Sequence, residues 1–243
     1  MIFAAGLGTR LQPLTDNIPK ALVPVAGKPV LEHLIIKLKR SGFTQIVINV
    51  HHFADAIIDF LHINNNFGME IFISDERDCL LDTGGGMKQA ARFLQGSEPF
   101  LVHNVDIISN VNLNVFYDDC LGNNALSTLL VSDRESSRRL LFNADGHLCG
   151  WQNKATGELK WSKENVFYDE CKAYAFGGIH VVSPKIVDFF DGWNGKFSII
   201  DFYLALAKTQ AICACAPPHL QIMDMGKKET LQQAERLFQT QLG

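Results

Sequence analysis

Ile2-Phe3-Ala4-Ala5-Gly6-Leu7-Gly8-Thr9-Arg10 is the stretch that decides the fold. A short apolar run that breaks at once into a glycine-rich turn is how a buried parallel strand ends. Glycines there let backbone N–H groups approach a polyphosphate with no Cβ in the way. That carboxyl edge is also where open α/β sheets bind their ligands. Arg10, and Lys20 behind Pro19, add positive charge beside it. A plain strand-to-helix turn would explain a lone Gly-x-Gly. Thr9-Arg10 and Pro19-Lys20 at their spacing argue instead for a phosphate loop. Two familiar phosphate loops do not fit: a dinucleotide fingerprint needs a third glycine at Leu11, and a Walker pattern ending at Gly27-Lys28 needs glycine at Leu22 and Ser or Thr at Pro29.

Outward from this loop, short β-branched runs alternate with stretches of helical spacing, which predicts βα units and a largely parallel sheet. Val30, Leu31, Leu34, Ile35 and Leu38 recur at helix spacing behind Pro29 and stop at Gly42. Strands are expected at 45–50, 71–73 and 100–103, with helices around Ala56 to Leu61 and from Met87 to Leu94. The second half reads differently. Ser127 to Val131, Leu140 to Phe142 and Leu148 to Trp151 are strand-like, and Asn143-Ala144-Asp145-Gly146 is a hairpin turn, so a small antiparallel insert is expected at about 132–175. Phe176 to Val182 returns to the core, Pro184 to Phe190 and Ser198 to Lys208 look helical, Gln221 to Met225 looks extended, and Thr230 to Leu242 closes with a helix. The expected fold is α/β: one doubly wound, mainly parallel, Rossmann-like domain over 1–243 with that insert.

The 243 residues carry 22 Lys+Arg against 26 Asp+Glu, a formal charge of -4, and 47% are hydrophobic. This excludes disorder as the main state and leaves no basic excess for a nucleic-acid footprint. Six cysteines without Cys-x-x-Cys pairs read as reduced packing residues. The apolar start lacks a cationic leader, and no run reaches about 18 apolar residues, so no membrane partner and a cytoplasmic location are expected.

Ala4-Ala5-Gly6-Leu7-Gly8-Thr9-Arg10-Leu11-x-Pro13-Leu14-Thr15, continued by Pro19-Lys20-Ala21-Leu22-Val23-Pro24-Val25-Ala26-Gly27-Lys28-Pro29, resembles the signature of sugar-1-phosphate nucleotidyltransferases. Asp82-Thr83-Gly84-Gly85-Gly86 is similar to the Glu-Thr-Gly-Gly-Gly of the short N-acetylmuramate-1-phosphate uridylyltransferase group. Asn104-Val105-Asp106, Phe176-Gly177-Gly178-Ile179 and Asp224-Met225-Gly226 extend the likeness along nearly the whole chain. The resemblance implies transfer of a nucleotidyl group from a nucleoside triphosphate to a sugar-1-phosphate, with release of pyrophosphate. UTP with N-acetylmuramate 1-phosphate is the first reading. GTP with mannose 1-phosphate or a related sugar is an alternative, as is a silent nucleotide-sugar-binding regulatory subunit. A monomer or small homo-oligomer is expected.

Phosphate must attack phosphate in such a reaction, so catalysis needs positioning and positive charge more than a covalent nucleophile. By the resemblance, Arg10 faces the β- and γ-phosphates, and Lys20 lies by the α-phosphate and the attacking phosphate. Ala5, Gly6, Gly8, Thr9, Thr83, Gly84 and Asn104 meet the nucleotide, with Arg77 also near the base. Asp106 and Asp224, each at a strand end, suit Mg²⁺, a hard ion that takes carboxylate, phosphate and water oxygens. Gly177 and Gly178 allow close approach of the sugar, or else a tight strand crossing. Gln152-Asn153 stands where many relatives carry a glutamate-lysine pair that holds sugar hydroxyls and phosphate, and it either lines the sugar pocket or packs the insert with Trp151. Val105, Ile222 and Lys227 replace the Gly, Trp and Thr common in these motifs. Adjacent His51-His52 reads as loop residues more than a metal site, Cys213-x-Cys215 as packing, and Asp133 to Arg139 as a solvated loop or a lid over the sugar.

Overall fold

In the computed structural model, the described residues are 1–162, 168–226, 230, 231 and 234. The first half lays down β1 (Ile2–Phe3), β2 (Pro24–Val25), β3 (Lys28–Pro29), α1 (Val30–Arg40), β4 (Gln45–Val50), α2 (Ala54–Ile63), β5 (Glu70–Asp75), α3 (Asp82–Gln89), β6 (Phe100–Asn104), β7 (Ile107–Ser109) and α4 (Leu113–Leu121). The second half adds β8 (Ser127–Ser132), β9 (Arg138–Phe142), β10 (Leu148–Asn153), β11 (Glu158–Trp161), β12 (Lys172–Val182), α5 (Ile199–Leu206), β13 (Ile212–Cys215) and β14 (Ile222–Asp224). The fold is the expected α/β class, with a Rossmann-like parallel centre.

That centre is β5-β4-β1-β6, with β1 parallel to both β4 and β6. The chain leaves β1 toward β4 and β5, then crosses back to place β6 on the other flank. The strand order therefore reverses at β1, where such sheets open a ligand crevice. Beyond β6 lies the antiparallel β12, which also pairs with β8 and, through its first residues, with β9. β9, β10 and β11 form an antiparallel run joined by the expected hairpin, whose Gly146 N–H donates to the Asn143 carbonyl at 3.0 Å.

The two-residue period of the strands sorts their side chains onto two cores. Ile2, Ile46, Ile48, Val50 and Leu101 meet Leu31, Leu34, Ile35 and Leu38 of α1, Ile57 and Leu61 of α2, and Phe116 of α4. Phe3, Val47 and Val102 point the other way, onto Met87 of α3 and Ile199, Phe202 and Tyr203 of α5. Strands buried on both faces need near-continuous apolar sequence, which is why 45–50 reads so plainly. α1 ends as its sequence suggests: Gly42 takes φ +81°, the Phe43 N–H reaches back to Leu38 O at 3.2 Å and the Gly42 N–H to Lys39 O at 3.1 Å.

Four details differ from the sequence expectation. α3 begins at Asp82 rather than Met87, and a short 3₁₀ turn at Ala91–Phe93 takes its place at the far end. Three successive glycines disfavour a helix, but here close packing outweighs propensity. α4 was not anticipated, although Asn112 caps it with bonds from the Asn114 and Val115 N–H groups at 3.0 and 3.2 Å. β11 was also missed, being four residues long and half exposed. Pro184–Phe189 is a 3₁₀ helix. The helix expected over 230–242 lies mostly outside the described residues. Among these residues no helix is long and apolar enough to cross a membrane, and none of the six cysteines is in a disulfide.

Two buried histidines on neighbouring strands give the fold a pH dependence. His180 Nδ1 accepts the Tyr203 hydroxyl at 2.7 Å, and His103 donates to the Asn104 carbonyl at 2.8 Å. Burial holds both rings neutral, with pKa values lowered to about 3. The unfolded chain takes up these protons first, near the ordinary value of about 6.5. Their contribution is therefore complete above about pH 6.5 and is lost as pH falls toward 3, at about 1.4 kcal/mol per pH unit per histidine. His180→Gln should reduce the slope of unfolding free energy between about pH 6.5 and pH 5 by about one proton. Denaturant melts across that range check this, and an unchanged slope would mean that His180 titrates normally in the folded protein.

Candidate active site

At the carboxyl ends of β1, β4 and β6 lies a cleft of about 380 Å³. Its floor is Phe3 to Ala5 with Asn49 and Asn104. One rim is the loop from Gly6 to Leu11, and the other is Glu76, Leu80, Asp82 and Thr83. Gly6 has open space where a Cβ would stand, so its backbone faces the cleft unobstructed. Gly8 takes φ +69°, and a Cβ there would come 3.0 Å from Thr15 Cγ2 and 3.2 Å from Lys20 Cβ. The Thr15 hydroxyl donates to the Gly8 carbonyl at 2.8 Å. Glycine at this position lets the loop fold back far enough to carry Lys20 into the cleft.

Charge gathers at the end near Asp106. Lys20 opens a 3₁₀ turn behind the extended Pro19, and its ammonium is ion-paired with Asp106, both side chains being largely buried. Arg10 Nη1 lies 3.5 Å from Asp224 Oδ2. β14 pairs antiparallel with β7, which sets Asp224 opposite Ile107, and the Met225 N–H donates to the Asp106 carbonyl at 2.7 Å. Two carboxylates separated by more than a hundred residues are thus joined through one small ribbon. Burial pushes the Asp224 carboxyl up, but the Gly226 N–H at 2.7 Å, the charges of Lys20 and Arg10, and a hydrogen bond with Asp106 together hold it below its usual value. Gly226 is needed for this closeness: a Cβ there would stand 2.7 Å from Asp224 Oδ1 and 2.5 Å from Arg10 Nη2.

Ala5, Gly6, Gly8, Thr9, Arg10, Lys20, Thr83, Asn104 and Asp106 all line the one cleft, with Asp224 joined to it through Arg10 and Lys20. Other expected contacts are engaged elsewhere. Gly84 is buried and its N–H donates to the Phe197 carbonyl at 3.0 Å, so that donor is not aimed at a base. A Cβ on Gly85 would stand 2.6 Å from the Gly195 carbonyl, and one on Gly86 2.6 Å from Glu76 Oε1. The triple glycine thus serves close helix packing. The Thr83 hydroxyl accepts the Ile199 N–H at 3.0 Å, tying α3 to α5. Arg77 is exposed and paired with Asp75 at 2.8 Å and Asp55 at 3.1 Å, away from the cleft.

Gly177 and Gly178 answer to packing as well. A Cβ on Gly177 would stand 2.8 Å from Ile222 Cδ1 and from the Leu130 carbonyl, and one on Gly178 3.0 Å from Asn104 Nδ2. Gly178 has φ +70° and sits where the pairing of β12 with β8 shifts register. These two glycines make the tight strand crossing, and Ile222 fills the space above it. Asn153 Oδ1 accepts the Ala155 N–H at 3.1 Å and shapes the β10–β11 turn, while Gln152 is buried in β10. Neither lines the cleft. Val105 touches the cleft but is 4% exposed, its side chain belonging to the core on the α1 side.

Sequence reasoning missed two residues here, Asn49 and Glu76. The Asn49 carbonyl oxygen accepts the Ala4 N–H at 2.7 Å and its amide donates to Glu76 at 2.7 Å, so the two side chains brace the start of the phosphate loop. Burial raises the Glu76 carboxyl above its usual value. The available signal was Asn49 itself, a polar residue inside Ile46 to Val50. Arg134, read from the sequence as part of a solvated loop or a lid over the sugar, donates from Nη2 to the Phe176 carbonyl at 3.1 Å and feels the charge of Asp224. His51 donates to the Glu76 carbonyl at 2.7 Å, and no cluster of three or more His, Cys, Asp or Glu suited to a metal occurs among the described residues.

Residues 1–139 match the family model described as nucleotidyl transferase. The chain is 34% identical, over 90% of its length and 88% of the other protein's, to the N-acetylmuramate alpha-1-phosphate uridylyltransferase of Caulobacter vibrioides. It is 41% identical to the mannose-1-phosphate guanyltransferase of Gibberella zeae, across 44% of this chain and 30% of that protein. Among solved structures, HddC from Yersinia pseudotuberculosis complexed with GMP-PN superposes with a TM-score of 0.78 at 26% identity, covering 98% of this chain and 97% of that one.

Proposed function

We propose that this chain, which belongs to the sugar-1-phosphate nucleotidyltransferase family, joins UTP and N-acetylmuramate 1-phosphate to give the UDP-sugar and pyrophosphate. The convergence of Arg10, Lys20, Asp106 and Asp224 beside the glycine loop carries this reading. The choice of base and sugar is supported by the likeness to the Caulobacter vibrioides enzyme, which extends over most of both chains.

A phosphate oxygen of the acceptor attacks the α-phosphorus, the bond from that phosphorus to the bridging oxygen breaks, and the pyrophosphate takes the electron pair. Both reactants are anions, so repulsion between them is the main barrier. Lys20, fixed by Asp106, supplies positive charge where the two phosphates meet. Arg10, anchored by Asp224 and more exposed, receives the charge that grows on the leaving pyrophosphate. Backbone N–H groups of the loop from Gly6 to Thr9 orient the triphosphate. Leu7 and Leu80 offer apolar surface to the base. Asp106 and Asp224 form an all-oxygen pair beside two cations, a donor set that fits Mg²⁺. When bound, the ion supplies charge neutralisation on the phosphate oxygens.

The test is pyrophosphate release with each of the four common nucleoside triphosphates against a panel of sugar-1-phosphates. Highest kcat/KM is expected for UTP with N-acetylmuramate 1-phosphate. Preference for GTP with mannose 1-phosphate would move the assignment to the guanylyl group. Nucleotide-sugar binding without turnover of any pair would overturn the enzyme reading in favour of a regulatory subunit.

A further inference from the structure

Four of the five buried polar side-chain atoms without a hydrogen-bond partner among the described residues fall in one patch: Ser132 Oγ, Arg134 Nε, Arg139 Nε and Gln152 Nε2. The patch is continuous. Arg139 stands directly opposite Gln152 in the β9–β10 pairing, which puts both side chains on one face. Arg139 Nη2 donates to the Arg134 carbonyl at 3.1 Å. Ser132 pairs with Ala175, next to the Phe176 carbonyl that Arg134 holds. Buried donors are normally satisfied, and three of these four atoms are N–H donors. What the patch lacks is acceptor oxygen.

The two arginines differ. The Arg139 terminal nitrogens are committed to Asp133 at 3.1 Å, Ala173 O at 2.9 Å and Arg134 O at 3.1 Å, so it braces the insert. Among the described residues Arg134 makes a single bond, to the Phe176 carbonyl, and leaves the rest of its fork unused, while the charge of Asp224 acts on it. The Phe176 that it holds precedes Gly177, which packs against Ile222 two residues before Asp224, so Arg134 lies where the insert meets the Asp224 ribbon. Asn153, beside Gln152, is engaged in a turn.

We infer that Arg134 docks an oxyanion of the acceptor sugar-1-phosphate with its unused guanidinium edge. The inference rests on the nucleotidyl-transfer reading above. Two acceptor groups have the required chemistry: the C1 phosphate and, on N-acetylmuramate, the carboxylate of its lactyl group. A planar fork suits either, since it can give two parallel N–H bonds to one anion.

Steady-state kinetics of the full chain with UTP and either N-acetylmuramate 1-phosphate or N-acetylglucosamine 1-phosphate test this. Arg134→Gln should raise the acceptor KM about 10- to 100-fold, the range for a charged hydrogen bond, while leaving the UTP KM and the melting temperature little changed. Arg134→Lys should recover part of the loss. An equal rise for both acceptors assigns the phosphate, and a rise confined to the muramate acceptor assigns the carboxylate. An unchanged acceptor KM, or parallel changes in both KM values and the melting temperature, would overturn the role. Calorimetric titration with N-acetylmuramate 1-phosphate separates this from failure of the parent reading. Tight binding by the unmodified chain that Arg134→Gln abolishes supports the docking role even if no pair turns over, and equal binding by both forms refutes it.

Discussion

Asp106→Asn lowers turnover by about 10³-fold or more while the melting temperature moves little. The substitution keeps the shape of the side chain and still offers Lys20 an acceptor, so the contact can persist as a hydrogen bond from the Lys20 ammonium to the amide oxygen. What disappears is one of two negative charges that suit a divalent ion. Loss of about 4 kcal/mol of charge stabilisation at the transition state corresponds to three decades in rate. Pyrophosphate release measured against Mg²⁺ concentration, beside thermal melts, reads both quantities. A variant with full Mg²⁺-dependent activity would remove Asp106 from the site.

Lys20→Ala produces a loss of similar size through a different route. Without the ammonium, Asp106 and Asp224 face each other with less positive charge beside them, and Arg10 has a side chain 58% exposed to solvent. The variant should therefore lose turnover by about 10³-fold and also some melting temperature when Mg²⁺ is absent. Added Mg²⁺ replaces the missing positive charge between the carboxylates and binds only the folded chain, so it should restore the melting temperature without restoring the rate. Loss of activity and stability in equal measure, unrelieved by Mg²⁺, would make Lys20 a structural residue.

Much of the molecule is legible before folding because burial on two faces of a strand and one face of a helix imposes short sequence periods. Ile2-Phe3, Gln45 to Val50, Phe100 to His103 and the α1 face show those periods directly. The loop from Gly6 to Arg10 is legible because glycine and charge coincide where the chain must leave a strand. α3 is the contrary case. Its glycines look like a flexible loop facing a ligand, yet they are selected by Phe197, the Gly195 carbonyl and Glu76, which all approach from other parts of the chain. The same holds for Gly177 and Gly178, whose neighbours are Ile222, Leu130 and Asn104.

Local order thus determines the strand-loop-helix units, the doubly wound start and the identity of the charged residues Arg10, Lys20, Asp106 and Asp224. Only the tertiary structure decides which charges meet. Asp224 reaches Asp106 because β14 pairs with β7, and Arg134 is held on β12 through the Phe176 carbonyl. Hydrophobic periods repeat over a few residues and are written in neighbouring side chains. An electrostatic contact depends on register between strands more than a hundred positions apart, which no local stretch of sequence encodes.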